Sequence, residues 1–122
     1  MIVKTIPHSE YPYEIWLVFF SYQGASANIA ILQDHRDTAY LYDVVSTNRR
    51  NGEASALIRE IDEYCLANQI MLIVEADVYE SGRDGIQNND ELKSWYEKNG
   101  AYFVEYSEHG KPMLLLGNHI NM

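Results

Sequence analysis

The hydrophobic pattern of this chain changes period near residue 54, and that change limits the folds it can adopt. Before residue 47, segments rich in aromatic and β-branched residues are separated by polar turns, which is typical of strands. We predict four antiparallel strands, at residues 2–6, 13–22, 28–33 and 39–46. From Ala54 to Cys65 the apolar residues recur at intervals of three and one, as on one face of an α-helix. The chain is therefore predicted to mix helices with strands.

The second half of the chain alternates between strand and helix. Residues 70–74 form an unbroken apolar run of strand length, which is typical of a central strand covered on both faces. A second helix is predicted at residues 90–98, with Asn89 as its N-cap. Two final strands, at 102–106 and 112–116, flank a turn. The order β-β-β-β-α-β-α-β-β predicts an α/β fold with few helices.

Length and composition favour one domain over residues 1–122. The chain is 47% hydrophobic and 22% charged, and it has no repeat or linker-like segment. Its 18 acidic and 9 basic residues give a net charge of −9. Such a charge argues against a general nucleic-acid binder and against docking on anionic lipid. It suits a cationic partner, such as an amine or a basic protein.

Cysteine and histidine usage indicates no metal centre. Cys65 is the only cysteine, which excludes an internal disulfide and a thiolate zinc cage. The four histidines lack metal-ligand spacing. No apolar run reaches the roughly 18–20 residues of a membrane span. The first residues lack the shape of a signal peptide, so we expect a cytoplasmic protein.

The segment from residue 44 to 55 carries the strongest sign of chemistry. A strand leads through a polar turn into the first helix, and Gly52 and Ala54 would let the backbone approach a ligand closely. The first N–H groups of the helix and its dipole favour an anion. Arg49 and Arg50, the only adjacent basic pair, lie at the same place. The pattern predicts a phosphate or pyrophosphate site; the alternative is a solvated turn that only caps the helix.

Two motifs in this order resemble the GNAT superfamily of N-acetyltransferases. Residues 49–54, Arg-Arg-Asn-Gly-Glu-Ala, resemble the acetyl-CoA loop Arg/Gln-x-x-Gly-x-Gly/Ala. Residues 89–101 resemble the segment Asn-(six)-Tyr-Glu-Lys-x-Gly-Phe. The resemblance covers about residues 14–119 and implies a mostly antiparallel central sheet. The chain departs from the motifs at Glu53, where the family has an aliphatic residue, and at Ala101, where it has phenylalanine.

The resemblance implies an acetyl-CoA site made largely of backbone groups. The strand end at residues 44–46 would pair with the pantetheine arm as an added strand would. The amides of residues 50–55 would hold the pyrophosphate, with charge from the two arginines, and an asparagine of the second helix would hold the pantetheine. The implied cofactor-binding residues are Val44, Val45, Ser46, Arg49, Arg50, Asn51, Gly52, Glu53, Ala54, Ser55 and Asn89.

The resemblance also implies direct attack of a primary amine on the acetyl group. Tyr96 would lie near the thioester sulfur and protonate the leaving thiolate. A backbone N–H of Val44 or Val45 would polarise the carbonyl, as in an oxyanion hole. The alternative for Tyr96 is a packing role, because it lies with Leu92 and Trp95 on one helix face.

The amine attacks only when it is neutral, so a base or a water relay must accept its proton. The candidates are Asp43, just before the pantetheine-pairing stretch, and Glu75 and Asp77, at the end of the fifth strand. Each of these carboxylates is otherwise a surface or strand-end residue.

The front of the chain is shorter than the family pattern. The family places one or two helices between its first two strands, but here Pro7 is expected to stop the first strand and only about six residues, 8–13, follow it. Pro7 and Pro12 leave no room for a helix. We therefore expect an open acceptor side and, as the acceptor, a lysine or N-terminal amine on a protein.

Other functions stay open at this point. A catalytically silent GNAT-like module would act through protein contacts. An acidic inhibitor that mimics nucleic acid is a weaker alternative, because the acidic residues are scattered and not in runs. The chain can be a monomer or a homodimer.

Overall fold

The computed structural model describes residues 2–10, 13–22, 24–32, 35–46, 52–77 and 88–118. Within these residues the order of strands and helices is the predicted one. The elements are β1 (Ile2–Glu10), β2 (Tyr13–Tyr22), β3 (Ala25–Leu32), β4 (His35–Ser46), α1 (Glu53–Ala67), β5 (Met71–Glu75), α2 (Asn89–Lys98), β6 (Tyr102–Tyr106) and β7 (Pro112–Gly117).

The strands form one seven-stranded sheet in the order β1-β2-β3-β4-β5-β7-β6. Neighbouring strands are antiparallel except β4 and β5, which are parallel. Helix α1 makes the crossover between these two strands, as a parallel pair requires. The predicted mixed, mostly antiparallel sheet with few helices is confirmed.

Both helices pack on one face of this sheet. The buried side chains of α1 and α2 share one core with alternate residues of the sheet strands, so the core lies between a helix layer and a sheet layer. The helices contribute Leu57, Ile58, Ile61, Cys65, Leu92 and Tyr96. In the described part of the chain, neither helix is long and apolar enough to cross a membrane.

Three predicted strand boundaries were wrong by three or four residues. Strand β1 does not stop at Pro7 but continues to Glu10, because β1 is an edge strand, where a proline nitrogen can point away from the only neighbour. Strand β3 begins at Ala25 and not at residue 28, because its small residues alternate between buried Ala25 and Ala27 and exposed Ser26. Strand β4 begins at residue 35 and not at 39, because its start pairs with the end of β3.

The short front of the chain is confirmed. Strands β1 and β2 pair along their whole length, and only residues 11 and 12 separate them, which is too few for a helix.

The prediction that β5 is covered on both faces needs correction. Leu72 and Val74 are buried under the helices, but Met71 and Ile73 are only half-buried, because no described helix covers the other face.

Three weakly acidic groups, two in the core and one packed against it, make the fold sensitive to alkali. Burial, with a smaller effect of the nearby Asp62 carboxylate, raises the pKa of the Cys65 thiol to about 12. Burial also raises the pKa of Tyr64 and of Tyr96. Each of these groups loses its proton at a higher pH in the folded protein than in the unfolded chain. Their contribution to the free energy of unfolding is therefore complete below the pKa in the unfolded chain, and it is lost as the pH rises towards the pKa in the folded protein.

We therefore expect the free energy of unfolding to fall above about pH 9, with Cys65 alone accounting for about 1 kcal/mol by about pH 10. Urea unfolding at a series of pH values measures this. The variant Cys65→Ala should be less stable at neutral pH, because it leaves a cavity, but should lose less stability between about pH 9 and pH 10. An equal loss in both proteins over that interval would contradict the prediction.

Candidate functional site

Strands β4 and β5 separate soon after they begin to pair. Their pairing runs from Thr38 and Met71 to Tyr40 and Ile73. Beyond that point β4 continues to Ser46 and stays paired with β3 on its other side. In the described residues, the edge of β4 that faces β5 has no strand partner over residues 41–46. An extended ligand could pair with that edge as an added strand does.

A bulge interrupts β4 within this free edge. The register shift between Ser26 and Asn28 of β3 leaves Asp43 and Val44 together opposite Ala27. A bulge disrupts the ladder locally and re-aims the backbone groups of the extra residue. The N–H group predicted to polarise a carbonyl belongs to this bulge or to the residue after it.

Helix α1 begins a few residues beyond the same strand end. Gly52 is its N-cap with φ 71° and ψ 17°, a left-handed conformation that favours glycine. The first helical bond at this end runs from the N–H of Ala56 to the carbonyl of Gly52, at 3.0 Å. The N–H groups of the first turn point out of the helix start, as they do at any helix N-terminus. No side chain caps Gly52, and a Cβ added there would meet nothing within 4 Å. In the described part of the chain, nothing fills the space beside Gly52.

Tyr96 is buried on the inner side of α2. It is 3% exposed and lies in the core cluster against which Val44 of the β4 bulge packs. Its ring meets that of Trp95 edge to face, with centroids 5.0 Å apart. Burial raises the pKa of the Tyr96 phenol, so the group is protonated at neutral pH. This arrangement fits both a proton donor and a packing residue.

Comparison with known proteins bears on the fold. No family model and no curated protein matches the chain. The crystal structure of the anti-CRISPR protein AcrVA5 superposes with a TM-score of 0.61 and 18% identity, covering 79% of this chain and 94% of that one. A protein assigned to the GNAT acetyltransferase family, from Desulfovibrio desulfuricans, superposes with a TM-score of 0.53 and 16% identity, covering 85% of this chain and 66% of that one. The chain has a GNAT-like fold.

For several of the residues that the GNAT resemblance singled out, the structure describes only the backbone or nothing at all. Glu53, Ala54 and Ser55 are half-buried in the first turn of α1. The backbone of β4 is described through Ser46, but the side chains of Asp43, Val45 and Ser46 are outside the described residues, as are residues 49–51 entirely. The predicted Arg49, Arg50 and Asn51 contacts therefore stay predictions.

The predicted N-cap of the second helix was wrong by one residue. Asn88, not Asn89, caps α2, because its Oδ1 accepts a hydrogen bond from the N–H of Glu91 at 2.9 Å. Two adjacent asparagines satisfy the sequence signal equally, and only the backbone geometry selects the first. Asn89 is then the first residue of α2 and is half-buried. Its role in holding pantetheine stays a prediction.

Lys111, which the sequence did not single out, lies beside two of the predicted bases. Its Nζ donates to Asp77 Oδ2 at 2.6 Å and lies 3.8 Å from Glu75 Oε1. The lysine follows the turn between β6 and β7, so the pair with Asp77 ties that turn to the end of β5. Apart from His109, Lys111 is the only basic residue of the last hairpin. This is the one sequence signal that could have singled it out.

In the described part of the GNAT-like fold, no group of three metal-ligating side chains is present.

Proposed function

We propose that this protein is an acetyl-CoA-dependent N-acetyltransferase. The observation that carries the proposal is the bulged edge of β4, which has no strand partner among the described residues over 41–46, together with the glycine-capped start of α1 that follows it in the chain. A strand edge and a helix N-terminus in series suit a ligand with an amide-containing arm followed by a pyrophosphate. Acetyl-CoA has that composition.

In this proposal the chain binds acetyl-CoA mainly through its backbone. Residues 44–46 pair with the pantetheine arm, and the amides of residues 50–55 hold the pyrophosphate. Arg49 and Arg50 add positive charge to that end, and Asn89 holds the arm from α2. The carboxylate of Glu53 opposes an anion at the helix start, so its direction decides how tightly the pyrophosphate is held.

The chain's own groups then divide the chemistry of transfer. The bound acetyl-CoA supplies the activated acetyl group. The backbone N–H at the β4 bulge polarises the acetyl carbonyl, since a fixed donor stabilises the charge that develops on its oxygen. The Tyr96 phenol gives its proton to the departing thiolate. Asp43, Glu75 or Asp77 takes the proton of the amine; of these, Glu75 and Asp77 must do so beside the Lys111 ammonium.

We further propose that the acceptor is a lysine or N-terminal amine of a protein. Two features support this choice. Only residues 11 and 12 separate β1 from β2, so no helix between them encloses the acceptor side. The net charge of −9 attracts a basic protein surface.

Thermal unfolding with acetyl-CoA, CoA and adenosine bisphosphate tests the cofactor site. A ligand at about 100 times its dissociation constant stabilises the fold by about 2.7 kcal/mol, which raises Tm by several degrees. We expect a saturable rise with acetyl-CoA, and we expect Gly52→Leu to remove it, because the side chain would project into the space before α1.

Gly110→Leu is the matched control. Gly110 also has a positive φ, of 76°, and open space where a Cβ would lie, but it belongs to the β6–β7 turn. Each substitution costs roughly 1–2 kcal/mol of backbone strain. Only Gly52→Leu should lose the response to acetyl-CoA; equal responses in the two variants would overturn the assignment of the helix start.

A second candidate function is a silent module that acts through protein contacts. The observation that favours it is the carboxylate of Glu53 in the first turn of α1. This candidate predicts that none of the three ligands raises Tm for the natural sequence, and that Glu53→Ala gains a response, because it removes the carboxylate that opposes the pyrophosphate.

A further inference from the structure

Lys111 places a primary amine at the end of β5, on the face of the sheet away from both helices. Its Nζ contacts Asp77 Oδ2 at 2.6 Å and lies 3.8 Å from Glu75 Oε1. These two carboxylates alternate along the chain with Val74 and Ala76, which are buried in the core under the helices, so they lie on the opposite face. The Lys111 side chain is 31% exposed and is therefore not enclosed by its partners.

The backbone that carries this amine is held in place on two sides. The N–H of Ser107 donates to the carbonyl of Lys111 at 2.7 Å, and the N–H of Lys111 donates to Ser107 Oγ at 3.2 Å. The N–H of Ala76 donates to the carbonyl of Pro112 at 2.8 Å, which joins the start of β7 to the end of β5. Movement of the amine is therefore limited to the flexible carbon stem of the lysine.

The amine is level with the β4 bulge, across the gap between β4 and β5. The last pair of these strands is Tyr40 with Ile73. Val44, in the bulge, is four positions beyond Tyr40, and Asp77 is four positions beyond Ile73. An arm that pairs with β4 as an added strand runs about 4.8 Å from it, in the gap beside the end of β5. An acetyl carbonyl polarised by the bulge N–H therefore lies beside Asp77 and the Lys111 amine.

We propose that Lys111 is an acetyl acceptor, so that the chain acetylates itself at this residue. The proposal rests on the proposed function, because bound acetyl-CoA supplies the acetyl group. The Lys111 nitrogen attacks the thioester carbonyl and forms a C–N bond, and the C–S bond breaks with its electron pair on sulfur. The products are acetylated Lys111 and free CoA.

The protons of this step have donors and acceptors within the chain. Asp77 takes the first proton from the ammonium before attack, since its carboxylate is already within hydrogen-bond distance of Nζ. The nitrogen loses a second proton as the amide forms. This proton replaces, through solvent, the one that Tyr96 gives to the departing thiolate.

The attacking amine and the proton donor lie on opposite sides of the sheet. Tyr96 is buried in the core between the helices and the sheet, whereas Lys111 and Asp77 lie on the other face. A thioester in the gap between β4 and β5 can therefore meet the amine from one side and the acid from the other. Reacting atoms must come within about 3–3.5 Å, and the flexible stem of Lys111 supplies that movement.

The two other lysines whose side chains the structure describes lie on α2, in the helix layer. Lys93 pairs with Glu97 at 3.0 Å and lies over the Phe103 ring, 4.6 Å from its centroid. Lys98 is exposed in the last turn of the helix. Neither contacts a candidate base at the end of β5. Lys98 therefore reports the uncatalysed acetylation of an exposed amine.

Incubation of the full chain with isotopically labelled acetyl-CoA, followed by peptide mapping in a mass spectrometer, tests the proposal. The isotope distinguishes acetyl groups added in the experiment from those acquired during expression. We expect Lys111 to be labelled at least about tenfold faster than Lys98, because its amine is held beside the bound thioester. The rate constant should not depend on protein concentration, since the reaction is intramolecular.

Gly52→Leu is the variant that separates catalysed from uncatalysed labelling, because its added side chain projects before α1 and far in sequence from Lys111. It should label Lys111 no faster than Lys98, and far-ultraviolet circular dichroism establishes that it folds. Equal labelling of Lys111 and Lys98 in the natural chain would overturn the proposal. Undiminished labelling of Lys111 in folded Gly52→Leu would overturn it too.

A parallel assay with a lysine peptide separates this proposal from the proposed function. Acetylation of the peptide without label on Lys111 would overturn self-acetylation and leave the acetyltransferase function intact. Absence of label from both, together with no rise of Tm in acetyl-CoA, would overturn both proposals.

Discussion

Tyr96→Phe is expected to lower kcat for acetyl transfer by about a hundredfold or more while the fold stays intact. The substitution removes one hydroxyl from a side chain that is 3% exposed and leaves its ring, including the edge-to-face contact with Trp95, in place. Burial raises the pKa of this phenol, so it carries its proton throughout the neutral range. Steady-state kinetics with acetyl-CoA and a lysine peptide measure the effect.

Tyr64→Phe is the control for that experiment. Tyr64 lies on the other helix, packs its ring against Phe20 with centroids 5.0 Å apart, and also has a pKa raised by burial. Its loss should leave kcat unchanged. If both variants keep full activity, Tyr96 is a packing residue and the thiolate takes its proton from another source. The KM for acetyl-CoA should stay the same in both, since neither change touches β4 or the start of α1.

The order of elements could be predicted because each one has a local signal. Helix α1 is specified by the period of its apolar residues, and its observed bounds, Glu53–Ala67, include the whole predicted face. The turn before it is specified by Gly52, whose φ of 71° explains why the motif has glycine there. These signals use neighbouring residues only.

The features that decide the site depend on residues far apart in the chain. The β4 bulge is visible only when β3 lies beside it, because the register shift concerns Asp43 and Val44 against Ala27. The pairing of Lys111 with Asp77 joins side chains that are 34 positions apart. No local pattern encodes either contact.

Non-local packing also explains two errors. In a sequence pattern a proline such as Pro7 predicts the end of a strand, because it cannot donate a hydrogen bond to a neighbouring strand. On an edge strand that lost hydrogen bond costs nothing, and whether a strand lies at an edge depends on the whole sheet. The apolar run of β5 predicted cover on both faces, whereas the described helices cover one. The sequence therefore carries a preference that the described part of the chain does not satisfy.

Gly117→Ala is expected to have the largest effect on stability. The φ of Gly117 is 69°, a conformation that costs any other residue about 1–2 kcal/mol. A Cβ there would overlap the carbonyl oxygen of Ile70 and lie 2.7 Å from the Cβ of Cys65. The N–H of Gly117 also donates to Asp62 Oδ1 at 2.6 Å, so the strand cannot move away without breaking a bond to a carboxylate.

We expect Gly117→Ala to lower the free energy of unfolding by about 3 kcal/mol or more, since overpacking adds about 1–3 kcal/mol to the backbone strain. Gly110→Ala separates the two causes, because Gly110 has a similar φ, 76°, but a Cβ added there would meet nothing within 4 Å. It should cost about 1–2 kcal/mol, the strain alone. Urea unfolding of both variants measures the difference. Equal losses would mean that the contact of β7 with the end of α1 is loose, and a larger loss in Gly117→Ala would mean that Ile70 and Cys65 fix the strand against the helix.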